Sequence, residues 1–357
     1  MKNLKINYLL ISIALLSALS SCRKGKNDVV PDQPTAERAG VYILNQGGSD
    51  GKGSLSYYDY TQKNLSADIF NDANGRAIGN TPNDMATYGA KMYIVVNRSG
   101  TVEVVNPKNA KSIKQIKFED KGAAREVRYI VFNKNKAFVT CSDGNVAVVD
   151  TATLTIEKYI AVGRNPEQMA ISNNKLYVAN SGGYSFPNYD KTVSVIDLNT
   201  LTETKKIEVP INPVSVIADA YGDVYVISMG NYIDVSPSFT RISSAADNVT
   251  STVETSVGYG NVITINGDLA YIIGGDGKIK VYNVKTEAIV TDNFVTDGTA
   301  IVAPYAIEAD KQTGEVFITD AKDYSSAGEV FAFTKDGKKE YTLEVGISPG
   351  KILFINK

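Results

Sequence analysis

From residue 82 to the C-terminus the chain repeats itself, and that repeat leaves very few folds open. The phrase P-x-x-h-x-h, with h apolar or Thr, recurs as Pro82 with Met85, Pro166 with Met169 and Ile171, Pro213 with Val216, Pro304 with Ile307, and Pro349 with Ile352 and Phe354. Glu126, ahead of Tyr129 and Val131, and Gly260, ahead of Ile263 and Ile265, take the proline place in two further copies. The anchors at 82, 126, 166, 213, 260, 304 and 349 lie 44, 40, 47, 47, 44 and 45 residues apart. A second strand follows each anchor with an aromatic in constant register: Tyr93, Phe138, Tyr177, Tyr225, Tyr271 and Phe317. The seventh such strand, around Tyr42, sits at the other end of the chain.

Third strands read T-V-E-V-V-N from Thr101, N-V-A-V-V-D from Asn145, T-V-S-V-I-D from Thr192 and K-I-K-V-Y-N from Lys278, alternating with the period of two that a strand requires. Fourth strands end in V-G or a relative of it, as at Val162-Gly163, Val257-Gly258 and Val345-Gly346. Four short antiparallel strands per unit at this period predict an all-β, seven-bladed β-propeller. The last anchored strand has no successor and the first unit lacks an innermost strand, so the C-terminal strand is expected to complete the first blade and close the ring. A parallel β-solenoid is the rival, disfavoured by the hairpin turns. The fixed-register aromatics are expected to pack between blades. Asp59, Asn106, Asp150, Asp197 and Asn283, which end third strands, are expected to cap the following turns.

Composition narrows the chemistry. Hydrophobic residues make up 43% of the chain and charged residues 21%, enough apolar content for a large core. The net charge of -2 argues against a polyanionic partner, since nucleic acid is held by clustered Lys and Arg. There is no His, which removes the usual general base, Ser-His-Asp and Cys-His machinery, and imidazole ligation of a metal. No metal site is expected: Asp320 and Asp323 are close in sequence but lack a D-x-D-x-D-G loop. No catalytic residue and no cofactor are assigned.

The N-terminus reads as an address. Lys2 and Lys5 precede an apolar stretch from Tyr8 to Leu19, shorter than the roughly 20 residues a bilayer requires, and then Ser20, Ser21 and Cys22. Residues 1–21 are therefore expected to be a signal peptide. Leu19-Ser20-Ser21-Cys22 resembles a bacterial lipobox, which implies that Cys22 is lipidated; ordinary secretion with a chance Cys is the alternative. Residues 22–39, polar and carrying Pro31 and Pro34, are expected to form a tether, with the propeller spanning 40–357. Cys141, the other cysteine, is expected to be a small buried residue.

Two faces follow from the blade pattern. Short hairpins such as Asn133 to Asn135, Asn266 to Asp268 and Asp150 to Thr153 make one face smooth. The other carries second-to-third loops and links between blades, which are longer: Gln46 to Gly53, Asn71 to Thr81, Asn180 to Lys191, Met229 to Ser238, Thr296 to Ala303 and Asp320 to Gly328. Binding residues concentrate on long loops over a rigid scaffold. The candidate ligand contacts there are Tyr184, Phe186, Tyr189, Tyr232, Tyr259, Tyr305 and Tyr324, with Arg98, Arg125 and Arg164 and the amides of Gln46, Asn97, Asn180 and Asn231. Tyr supplies wide contact with a polar tip; Arg and the amides supply directed hydrogen bonds.

K-L-Y-V-A-N at Lys175, K-T-V-S-V-I-D-L at Lys191 and K-K-I-E-V at Lys205 resemble the YVTN (YncE-like) propeller repeats of bacterial envelope proteins, a likeness that covers residues 40 to 357. With the lipobox and the single domain, the layout resembles the BtuG-type surface lipoproteins. That resemblance implies an outer-membrane, lipid-anchored protein that captures cobalamin or another corrinoid and hands it to a TonB-dependent transporter. Arg23-Lys24-Gly25-Lys26 follows the Cys where some such proteins carry an acidic run, which leaves cell-surface and periplasmic exposure both open. The alternative is a non-catalytic envelope propeller that binds a protein or glycan.

Overall fold

The computed structural model describes residues 38–357; the expected signal peptide, Cys22 and the tether as far as residue 37 lie outside them. The described chain forms seven four-stranded antiparallel sheets, each built in chain order except the first. Blade 1 comprises Arg38–Asn45, Ser54–Asp59 and Asn64–Ser66, with Pro349–Asn356 as its innermost strand. Blade 2 runs from Pro82 to Lys117, blade 3 from Val127 to Ala161, blade 4 from Pro166 to Glu208, blade 5 from Pro213 to Glu254, blade 6 from Ile263 to Thr291 and blade 7 from Pro304 to Ile347. The innermost strands neighbour one another around a closed circuit, blade 7 meeting Pro349–Asn356, which in turn meets blade 2. The expected seven-bladed propeller and its closure by the C-terminal strand are thus observed.

Its core is not one mass but a set of seams. Tyr42 packs in the seam between blades 1 and 2, Tyr93 between 2 and 3, Phe138 between 3 and 4, Tyr177 between 4 and 5, Tyr225 between 5 and 6, Tyr271 between 6 and 7, and Phe317 between 7 and 1. All seven are buried, so the aromatic register read in the repeats is the register of inter-blade packing. The terminal glycine of the fourth strand has a matching cause. A Cβ on Gly163 would stand 2.4 Å from Cγ of Asn180 in the next blade, one on Gly346 2.7 Å from Cγ of Asn45, and one on Gly258 2.8 Å from Ile273. Only glycine lets neighbouring blades approach this closely.

The turn carboxylates and amides behave as expected. Asp150 Oδ1 accepts from the backbone N–H of Ala152 and Thr153 at 2.9 and 2.8 Å, and Asp197 Oδ1 from Asn199 and Thr200 at 2.8 and 2.9 Å. Asp59 and Asn283 make the same pair of bonds in their blades, and Asn106 the first of them, with the N–H of Lys108.

Three expectations need correction. The anchor of the third unit is Val127, not Glu126: Val127 pairs with Cys141 as Pro82 pairs with Val96, so the register there moves by one residue. Residues 71–81 are not all loop, because Ile69–Asn74 is a helix capped by Asp68, with Phe70 buried under blades 1 and 2. The first strand begins at Arg38, two residues before the expected domain start. Arg38 pairs with Asp310 and, at 2.6 Å, with Glu315 of blade 7, and its guanidinium lies 5.5 Å from the Phe317 ring and 4.8 Å from that of Phe354.

Candidate functional site

The two faces differ as the loop lengths suggest. On the smooth face, first and second strands of blades 3, 4 and 6 turn within two residues, Asn133 pairing with Lys136, Ser172 with Lys175 and Asn266 with Leu269, while blades 5 and 7 have longer links, Ala218 pairing with Val224 and Ala309 with Val316. Both central residues of the blade 4 turn, Asn173 and Asn174, have positive φ, the geometry that two-residue hairpins demand. The opposite face carries the long loops and most of the exposed aromatic side chains; Tyr221, in the first-to-second turn of blade 5, is the exposed aromatic of the smooth face among the described residues.

Those aromatics form an arc. Phe186 meets Tyr189 edge to face with centroids 6.2 Å apart, Tyr189 meets Tyr232 at 5.9 Å, and Tyr232 stacks on Tyr259 at 6.1 Å. Tyr305 and Tyr324 make a further edge-to-face pair at 5.5 Å. The arc runs over the loops of blades 4 and 5, the link from blade 5 to blade 6, and blade 7. Phe186 is 62% exposed, Tyr259 59% and Tyr232 50%, so the rings shelter one another but leave their outer faces to solvent. Tyr184, on the same loop as Phe186, extends the arc and donates its O–H to Oε2 of Glu126 at 2.5 Å. Partial burial raises the phenol pKa values of Tyr184, Tyr232, Tyr305 and Tyr324, which keeps all four protonated as hydrogen-bond donors near neutral pH.

Inside the arc a funnel of about 250 Å³ descends along the propeller axis. Tyr232, Tyr259, Tyr305 and Gln46 line its mouth, and Tyr305 donates to Oε1 of Gln46 at 2.9 Å. Its floor holds residues that the sequence reading missed: Asn83, Arg128, Tyr129 and Glu167. Each lies in an innermost strand one or two places after the anchor, where a bulge interrupts the pairing with the second strand. A bulge turns side chains out of the sheet alternation, here toward the axis. Polar residues at those places in otherwise apolar strands were the signal, hidden in blade 3 by the one-residue register error.

Arg128 Nε donates to Oε2 of Glu167 at 3.0 Å, and Nη2 lies at ion-pair distance, 2.9 Å, from the same oxygen. Burial opposes the guanidinium charge, but Glu167 outweighs it and holds Arg128 above its ordinary pKa. Glu167 is itself pushed up by burial, with Arg128 pulling the other way. Below this floor the axis is plugged: Gln168 Nε2 donates to Oδ1 of Asn261 at 2.7 Å, and Asn261 Nδ2 to the carbonyl of Gly350. Beyond the plug a separate chamber of about 260 Å³ holds Lys351 between Asp84 and Glu308, 3.8 and 3.6 Å away.

Several expected contacts turn out to hold the scaffold instead. Asn97 is buried and donates to the carbonyl of Val127 at 2.8 Å, stapling blade 2 to blade 3. Asn180, also buried, donates to Thr192 and Ser194 and accepts from the N–H of Gly163. Asn231 accepts from the N–H groups of Ile233, Asp234 and Val235, which folds its own loop. Arg125 is paired with Asp143 and Asp120 and lies 4.4 Å over the Tyr159 ring. Arg164 pairs with Asp190 and donates to Ser185 Oγ at 2.8 Å and the Asn188 carbonyl at 3.1 Å, fixing the aromatic loop from behind. Arg98 is exposed on the blade 2 loop, outside the funnel lining. Cys141 is buried in the seam of blades 2 and 3, and burial pushes its thiol up to about 12, the opposite of what an activated nucleophile needs. Among the described residues, no group of three or more Cys, Asp and Glu side chains is arranged to hold a metal ion.

Ring, bridged axis and aromatic rim together define a β-propeller whose irregular face carries an aromatic-rimmed funnel. The chain belongs to the DUF5074 family, described as a domain of unknown function, whose sequence profile matches residues 39–340. No curated protein matches it. Among solved structures it is similar to a quinonprotein alcohol dehydrogenase-like protein from Bacteroides thetaiotaomicron, at 16% identity and a TM-score of 0.67, over 90% of this chain and 78% of the other. It is also similar to the hydrazine synthase of Kuenenia stuttgartiensis, at 13% identity and a TM-score of 0.62, over 77% of this chain and 95% of that one. A third similarity is to the dihydro-heme d1 dehydrogenase NirN in complex with DHE, at 12% identity and a TM-score of 0.58, over 87% and 68% of the two chains. At these identities the likeness establishes the propeller fold and nothing about chemistry.

Proposed function

We propose that this protein is an envelope lipoprotein that captures a broad amphipathic ligand, a corrinoid such as cobalamin, on the irregular face of the propeller and passes it to a TonB-dependent outer-membrane transporter. The observation that carries the reading is the exposed arc from Phe186 through Tyr259, continued by Tyr305 and Tyr324, around a polar, blind funnel. Stacked phenol rings give a wide contact surface at low entropic cost, and the funnel's amides and ion pair meet the carboxamides that fringe a corrin ring. The reading is one of binding without turnover. A chain with no imidazole has no nitrogen ligand of that kind for cobalt, so recognition falls to the ring periphery and its appendages.

Titration of a chain from residue 23, which keeps every described element, with cyanocobalamin is expected to give stoichiometric heat. Replacing Tyr184, Phe186 and Tyr189 together by Ala should weaken binding at least about tenfold, since the aromatic anchors of an interface cost about 1 kcal/mol or more when truncated, while leaving the melting temperature near that of the wild type. Absence of heat at micromolar concentrations would sink the corrinoid reading and favour the protein or glycan alternative.

A further inference from the structure

The floor of the funnel carries more hydrogen-bonding capacity than its ion pair uses. Arg128 donates to Glu167 through Nε, with Nη2 at ion-pair distance, which leaves the two N–H groups of Nη1 without an acceptor among the described residues. Gln46, at the mouth, has its Oε1 occupied by the Tyr305 hydroxyl, so the amide is fixed and the N–H groups of Nε2 are unpaired. Asn83 Nδ2 donates to the Arg128 carbonyl at 2.7 Å, holding the backbone beneath the guanidinium. Acceptors are scarcer: Oε2 of Glu167 is taken by Arg128, and the carboxylate also faces Ser181. The floor therefore offers an excess of fixed donors.

We infer that the funnel floor is an oxyanion subsite, which takes a carboxylate or phosphate borne by the ligand and reads it with Nη1 of Arg128, with Nε2 of Gln46 as a further donor at the mouth. This rests on the proposed binding face, whose aromatic arc holds the body of the ligand. A guanidinium already aimed by one carboxylate loses little side-chain freedom when it meets a second oxyanion. Charge-assisted bonds of this kind are about twice as strong as neutral ones. The funnel's blind end stops the group at the depth of Arg128, because Gln168 and Asn261 bridge the axis below.

The test uses the chain from residue 23, titrated separately with inorganic phosphate and with sodium acetate against a sodium chloride background of constant ionic strength. The Nε–H resonance of Arg128, assigned by its loss in Arg128→Met, should shift saturably with at least one of the two, and the tighter one identifies the oxyanion. Followed through the amide resonance of Tyr129, Arg128→Met should weaken binding at least tenfold. Glu167→Gln, whose amide oxygen still accepts from Nε of Arg128 but no longer competes as a carboxylate, should tighten it at least threefold. If Arg128→Met does not fold, Gln46→Leu at the mouth supplies the same comparison, with a loss of at least threefold expected. No saturable shift with either anion, unchanged binding in Arg128→Met, or weaker binding in Glu167→Gln overturns the subsite. Anion binding without heat from cyanocobalamin supports the subsite and removes the corrinoid; corrinoid binding with no anion response does the reverse.

Discussion

Asp150 and Glu167 are both carboxylates, and their surroundings push them in opposite directions. The backbone N–H of Thr153, joined by that of Ala152, stabilises the ionised form of Asp150 and lowers its pKa to about 2. Burial at the funnel floor raises that of Glu167. A depressed carboxylate contributes stability above its ordinary pKa of 3.8 that is lost as the pH falls through about 2. Asp150→Ala should accordingly melt below the wild type at pH 7, with the gap narrowing from about pH 4 downward; thermal melts between pH 7 and pH 3 check this, and a gap that does not change with pH would contradict it. The arginines divide in the same local way. Arg164 reaches Ser185, Asn188 and Asp190 and so positions the loop bearing Phe186 and Tyr189. Arg164→Ala should speed hydrogen exchange at residues 182–190 and lower corrinoid affinity roughly threefold to tenfold, with stability changed by no more than about 0.5 kcal/mol, as is usual for an exposed surface position. Equal loss of affinity and stability would mean that Arg164 holds the blade and not the loop.

Within a blade, the element that sets the geometry is the end of the fourth strand. Gly163, Gly258 and Gly346 lie where the next blade's second strand comes nearest, so the V-G ending of the repeat records inter-blade distance more than turn chemistry. Gly163→Ala would drive a Cβ into the Asn180 side chain, whose amide already bridges Thr192, Ser194 and the Gly163 N–H. Overpacking of that kind costs about 1–3 kcal/mol, which urea denaturation would read as a lower midpoint. An unchanged midpoint would show that the blades can separate without cost. The first strands carry the other device, the bulge after the anchor, which brings Asn83, Arg128 and Glu167 to the axis. Strand identity and alternation were legible in the repeats. The bulges were not, because an extra residue in a pairing depends on the partner strand; the polar residues just after those anchors were their only trace in the sequence.

For the molecule as a whole, stability turns on closing a ring of separate seams. The seam of blades 7 and 1 joins the two ends of the described chain, with Val41, Ile43 and Ile352 packed on Phe317, Val330 and Ala332. Arg38 reinforces it through Asp310 and Glu315 while lying on the rings of Phe317 and Phe354. Asp310 is 3% exposed, so Arg38→Ala would leave a buried carboxylate without its cation. Breaking such a pair costs about 3–5 kcal/mol, and the variant should show a clearly lower melting temperature by circular dichroism. A shift within experimental error would mean that the seam closes on its apolar contacts alone.

Periodic and short-range features were present in the one-dimensional pattern: seven units, the aromatic of each second strand, the turn-capping Asp and Asn residues, and the complementary gaps at the two termini that require the last strand to join the first blade. They are readable because each follows from strand periodicity or from bonds to residues two or three positions away. Which side chains face the axis depended on the assembled ring. Asn97, Asn180 and Asn231 matched the chemistry of a binding site and were claimed by neighbouring backbone, whereas Arg128 and Glu167, 39 residues apart, meet only because blades 3 and 4 stand side by side. Gln168 and Asn261, 93 residues apart, seal the axis for the same reason. Contacts across a closed ring are set by rigid-body placement of whole blades, and no local pattern encodes that placement.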